Sequence, residues 1–196
     1  MKAKGVLIKA LRRAKGERGL RTAKPNVHMS DGHIKKADHN LVVMTDLSSL
    51  GHEDWVVIAA YYAMYQSALA ILAKIGLESK EHATTASVLE YFFGEHIGRE
   101  LIEKFNEMKV QKDRIEAITI KEEYIDNLWK AKWARETVQY GISVTYKETD
   151  VVMKNAREFV SKIKLVASQL DEEIVRVIGK EISDLKEMVL KRGFSE

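Results

Sequence analysis

Residues 55–76, WVVIAAYYAMYQSALAILAKIG, decide the fold of this chain. Read as a helix, the stretch carries apolar side chains around nearly its whole circumference. Such a helix has to be covered on several sides, by its own bundle or by a second subunit. Within it, Ala59-Ala60-Tyr61-Tyr62-Ala63-Met64-Tyr65 alternates small and aromatic residues. Small residues let neighbouring helices approach closely, and rings fill the gaps that remain. The stretch is also long enough to raise the question of a membrane span. Gln66, Ser67, three tyrosines and many alanines fit a buried bundle helix better, so no membrane partner is expected. Gly76 supplies a natural C-terminal stop.

Working outward, Ser30–Asp31 offers a cap for a preceding helix in which Ile34, Ala37, Leu41, Met44 and Leu47 keep helical spacing, closed by Leu50–Gly51. On the C-terminal side, Ser79 opens a helix that ends at Gly94. A further amphipathic helix places Ile97, Leu101, Ile102, Phe105 and Met108 on one side. Residues 109–120 are weakly patterned, and Ile118-Thr119-Ile120 is β-prone but short. Residues 121–140 form the next helix, with Tyr124, Leu128, Ala131, Arg135 and Val138 on one stripe, so that Arg135 falls late in the helix on its apolar face. Thr145 and Glu148 have capping-box spacing. They start a long helix whose apolar repeat runs from Val152 through Leu170 to Val189, either broken at Gly179 or continuous through it.

The chain has 196 residues, one proline (Pro25) and no cysteine. Few breakers favour long helices over many strands. The expected fold is all-α: an up-and-down helical bundle of four to five main helices, with a long C-terminal helix and a basic N-terminal arm. Residues 1–29 form the arm and linker, a short basic helix with Val6, Leu7, Ala10, Leu11 and Ala14 on one face followed by breakers at Gly16, Gly19 and Pro25; 30–170 form the bundle and 171–196 a helical extension. The net charge of +3 hides an asymmetry, because residues 1–25 hold nine of the 32 Lys/Arg and one of the 29 acids. Lys9, Arg12, Arg13, Lys15, Arg18 and Arg21 are therefore the candidate nucleic-acid contacts, through phosphate neutralisation. Docking on an acidic surface or an anionic membrane, or a solvated tail, are the alternatives for this arm. No aromatic residue interleaves the bases, so a stacking platform for single strands is not expected. The absence of cysteine and of a signal-like apolar core fits a cytoplasmic protein.

Catalytic motifs are scarce. No Walker loop, dinucleotide fingerprint, H-E-x-x-H or nucleophile elbow occurs, and the six histidines lack metal-ligand spacing, so no metal and no cofactor are expected. The run Arg135-Glu136-Thr137-Val138-Gln139-Tyr140 does hold a forked cation near a helix end, suited to phosphate. Pairing of Arg135 with a buried acid of a neighbouring helix is the structural alternative.

Taken in order, these strings resemble the HEPN (higher eukaryotes and prokaryotes nucleotide-binding) superfamily, small helical archaeal and bacterial type. The resemblance covers about residues 30–170. It rests on Tyr61-Tyr62-Ala63-Met64-Tyr65 with Ala68, then Leu69, Leu72, Gly76, Ser79, Lys80 and His82, then Arg135, Val138, Gln139 and Tyr140, and finally Ala156, Phe159 and Val160. It implies a helical homodimer that binds nucleotide or RNA, or that pairs with a minimal nucleotidyltransferase as a toxin–antitoxin-like component. The ligand site it implies holds Arg135, Gln139 and Tyr140, with Tyr62 and His82 as neighbours through the bundle. Some members are metal-independent ribonucleases using R-x(4–6)-H. Here no histidine follows Arg135 at that distance, and Tyr140 stands at the nearest position. Arg135 and Tyr140 remain the catalytic candidates for an active ribonuclease, the alternative reading. A purely structural assembly domain is the third.

Overall fold

A computed structural model describes residues 2–12, 19–95, 112–140 and 146–192. Among the described residues there are eight helices and one two-stranded hairpin. In chain order these are α1 (Lys2–Arg12), β1 (Leu20–Thr22), α2 (Val27–Ser49), α3 (Glu53–Lys74), β2 (Leu77–Ser79), α4 (His82–Phe93), α5 (Lys112–Ile118), α6 (Glu122–Tyr140), α7 (Tyr146–Gln169) and α8 (Glu172–Arg192).

The apolar helix α3 is the axis of the fold. It packs against α2, α4, α6 and α7, so its cover comes mainly from its own chain. In its most apolar window 78% of residues are buried, which accounts for a composition that would also suit a bilayer. Gln66 and Ser67 inside it are satisfied, whereas Glu53 Oε2 at its start is buried without a hydrogen-bond partner among the described residues. Gln66 Oε1 bonds His33 Nδ1 at 2.8 Å across the α2–α3 seam, and Ser67 donates to the Met64 carbonyl at 2.8 Å. Ala37, Ala63 and Val160 form a tight contact where α2, α3 and α7 meet. Beyond it lies a continuous core that includes Tyr61, Phe92, Phe93 and Phe159.

The helix boundaries follow local stereochemistry. Asn26, not Ser30–Asp31, caps α2, its side chain accepting from Met29 N at 2.9 Å. Pro25 stands just before it, and the sparse apolar pattern of residues 27–29 hid this extra turn. Gly51 and Gly76 adopt φ values of 74° and 76°, the left-handed region that a side chain resists. Ser79 lies in β2 and not at a helix start, which falls at His82 with Glu81 as the cap residue. Thr145 and residues 97–108 lie outside the described residues. The long C-terminal helix is two: α7 stops at Gln169, and Asp171 Oδ1 accepts from Ile174 N at 3.0 Å to open α8. Gly179 sits inside α8 without breaking it.

The basic segment does not hang free. The face of α1 bearing Leu7, Ala10 and Leu11 is buried against α4 and α8. β1 pairs antiparallel with β2, Arg21 opposite Glu78. Ala23 N and Asn26 N donate to the carbonyls of Gly76 and Ala73, both at 2.9 Å. α8 likewise joins the main core through Ile174, Val177, Ile178 and Leu185. Its buried Glu181 accepts from Tyr91 Oη at 2.5 Å. Ile118 and Ile120 are fully buried, and Ile120 makes a single bridge to Gly94.

Candidate functional site

The site forms where α3, the start of α4 and the second half of α6 meet. Tyr61 and Tyr65 are one turn apart on α3, and their rings stack with centroids 5.9 Å apart. The turn at Gly76 and the short β2 bring the chain back along α3. His82, the first residue of α4, therefore faces both rings, 4.3 Å from Tyr65 and 5.5 Å from Tyr61 between centroids. The Tyr61 hydroxyl and His82 Nδ1 are hydrogen-bonded.

From the opposite side α6 brings Arg135 over the Tyr61 ring, its guanidinium carbon 5.1 Å from the centroid. This is cation–π geometry with the charge half-desolvated. Lys132, one turn earlier, lies 5.9 Å from the Trp129 centroid. Lys132 Nζ contacts Glu136 Oε1 at 3.0 Å, and Arg135 Nη2 lies 3.6 Å from the same oxygen. Arg135 Nη1 donates to Gln139 Oε1 at 3.3 Å, a long bond. Arg135 Nε is buried and has no hydrogen-bond partner among the described residues. The Tyr61, Tyr65, His82, Trp129 and Lys132 side chains line a small cleft beside these groups.

The electrostatics follow from this packing. Burial raises the Tyr61 pKa, the neighbouring Tyr65 adds to the rise and the Arg135 charge opposes it, so Tyr61 stays a phenol at neutral pH. Burial, then the positive charges of Arg135 and Lys132, hold His82 below its ordinary value of 6.5. A neutral imidazole has one N–H. His82 Nδ1 is the only hydrogen-bond partner of the Tyr61 hydroxyl among the described residues. A phenol that donates to Nδ1 places the His82 proton on Nε2. The His82 ring lies close to the two cations of α6. The hydrogen bond from Lys132 lowers the Glu136 carboxyl pKa.

Residues 30–166 match the family model of the HEPN domain. The chain belongs to the HEPN family. No curated protein matches the chain. The HEPN span begins three residues inside α2 and ends within α7, so Tyr61, His82 and Arg135 all lie inside it.

Of the residues singled out in the sequence of this HEPN domain, Arg135, Gln139 and His82 come together. Tyr62 is one position removed: its ring packs edge-on against Tyr61 at 5.4 Å and is itself exposed. The Tyr140 side chain lies outside what the structure describes. Tyr61, Tyr65, Lys132 and Glu136 were missed, although spacing offered a signal. Tyr61 and Tyr65 are four apart on one helix, as are Lys132 and Glu136. Among the basic residues, Lys9, Arg12 and Arg21 are exposed on α1 and β1. Arg13, Lys15 and Arg18 lie outside the described residues. Among the described residues the acid paired with Arg135 is Glu136, at 3.6 Å, from its own helix and 41% exposed, not a buried acid of a neighbouring helix.

Proposed function

We propose that this HEPN domain binds a phosphate group of a nucleotide or RNA at the Arg135–His82 cluster. The observation that carries the reading is the underused guanidinium of Arg135. Its Nε is buried without a partner among the described residues, and its Nη contacts are long, at 3.3 and 3.6 Å. A half-buried cation with free donors is costly unless a ligand completes it. A phosphate accepts in the forked geometry that guanidinium offers, and His82 adds a ring nitrogen beside the same cations. Titration with a short RNA, followed by NMR of the Arg135 side chain, tests this. Arg135→Ala should abolish the saturable response while the fold persists; equal affinity in the variant refutes the reading.

A homodimer working beside a minimal nucleotidyltransferase, in a toxin–antitoxin-like pair, is the biological setting we infer. The exposed Trp55 and Tyr62 on one edge of α3 support an interface there, because two large rings left in water next to the site are unusual for a monomer. Light scattering at micromolar concentration checks the dimer, and a monomer at that concentration removes it.

A second reading, a metal-independent ribonuclease, gains one specific support. The histidine that is missing after Arg135 on α6 has a spatial substitute in His82. RNA cleavage that survives a chelator and disappears in both Arg135→Ala and His82→Ala would establish it. Cleavage unchanged in either variant would exclude it.

A further inference from the structure

We infer that Glu136 is a built-in competitor for the anion site, and that it makes the site prefer a terminal phosphomonoester over an internal phosphodiester. The inference rests on the phosphate-binding reading of the same cluster. Glu136 Oε1 lies 3.0 Å from Lys132 Nζ and 3.6 Å from Arg135 Nη2. It therefore occupies the place between two cations where a phosphate oxygen would be held most strongly. Glu136 Oε2 also accepts from Lys132 Nζ at 3.2 Å, so the carboxylate sits as a two-oxygen anion against the lysine. Its side chain is 41% exposed, and such a carboxylate can rotate outward without leaving a buried charge behind.

An incoming anion has to displace this carboxylate or tolerate it nearby. A phosphodiester carries one negative charge, the same as the group it replaces, so the exchange gains little. A phosphomonoester carries about −1.5 to −2 at neutral pH and has three strong acceptor oxygens. It wins the exchange by setting its larger charge and extra acceptor oxygens against Lys132 Nζ and Arg135 Nη2 together. The aromatic floor of Tyr61 and Tyr65 cannot discriminate charge, so the discrimination falls to Glu136.

The test compares a trinucleotide carrying a 5′-phosphate with the same trinucleotide lacking it. Each is titrated into the full chain and into Glu136→Gln, with Glu136→Ala as a second variant. Calorimetry and the Arg135 side-chain resonances provide the readouts. The wild-type protein should favour the phosphorylated ligand by about fivefold or more. Removing the carboxylate should tighten the unphosphorylated ligand by roughly tenfold, one decade in affinity, and bring the two ligands closer together. Binding to Glu136→Gln and Glu136→Ala that is unchanged or weaker overturns the inference and makes Glu136 a residue that orients Lys132 and Arg135. Wild-type binding lost in Arg135→Ala would then leave the phosphate reading standing alone. If neither ligand binds wild type or either variant, both readings fall. Binding seen only once the carboxylate is removed supports the competitor role directly.

Discussion

The hydroxyl of Tyr61, in the middle of α3, is bonded to Nδ1 of His82, the first residue of α4 and 21 positions further along the chain. That bond ties the core helix to the functional surface. It fixes the imidazole beside the cations of α6.

Tyr61→Phe keeps the ring stack with Tyr65 and removes only this bond. Folding stability should fall by about 1 kcal/mol, the usual net worth of one hydrogen bond. Nitrogen-15 NMR of the His82 ring should show predominantly Nε2–H in the wild type and a mixture of tautomers in the variant. The same tautomer ratio in both proteins would show that Tyr61 does not set it.

His82 also makes stability depend on pH. Its folded-state pKa lies below the ordinary 6.5, through burial first and the Arg135 and Lys132 charges next. Between the two values the unfolded chain binds more protons, so stability rises with pH through that window. The contribution is complete above about pH 6.5 and is lost as the pH falls towards the folded value. Thermal melts from pH 7.5 to 5 should show a falling midpoint that is flatter in His82→Gln. An equal slope in both would place the pH dependence elsewhere.

Two glycines should respond in opposite directions to alanine. Gly76 has φ of +76°, and a Cβ there would lie 2.7 Å from the Ala23 carbonyl oxygen, a backbone atom in the segment before α2. Gly76→Ala should cost about 1–3 kcal/mol. Gly179 lies inside α8 with nothing within 4 Å of a Cβ, so Gly179→Ala should add about 0.5–1 kcal/mol through helix propensity. Urea denaturation of both variants separates the cases.

Asp171 divides the C-terminal helical run. Its side chain caps α8 through Ile174 N and is also paired with Arg114, which bonds Glu173 at 2.6 Å. Asp171→Ala should destabilise by about 1 kcal/mol, mostly the lost cap, because a surface ion pair adds little. Asp171→Asn, which can still cap, should recover most of the loss in the same assay.

Much of the fold was legible because it is written at short range. The all-round apolar pattern of residues 55–73 predicts a central helix, Gly76 marks its end, and Gly51 and Gly94 mark the ends of its neighbours. The misplaced boundaries share a cause. Ser30 and Ser79 look like caps locally, but Asn26 and the β1–β2 pairing compete for the same backbone groups, and sequence spacing does not rank those competitors. The basic segment was harder. Its nine cations suggest a solvated arm, and the stripe Leu7, Ala10 and Leu11 becomes decisive only once α4 and α8 present a groove to receive it.

The sequence by itself determined the helical class, the central position of α3, the family and a forked cation at Arg135. Those features depend on residue type and on spacings of a few positions, which a helix translates directly into geometry. Only the tertiary structure decided that His82 meets Tyr61, that Arg135 lies over that ring, and that Glu136 stands between two cations. Such neighbours belong to separate helices or depend on rotamers fixed by packing, and no local period encodes which faces turn towards one another.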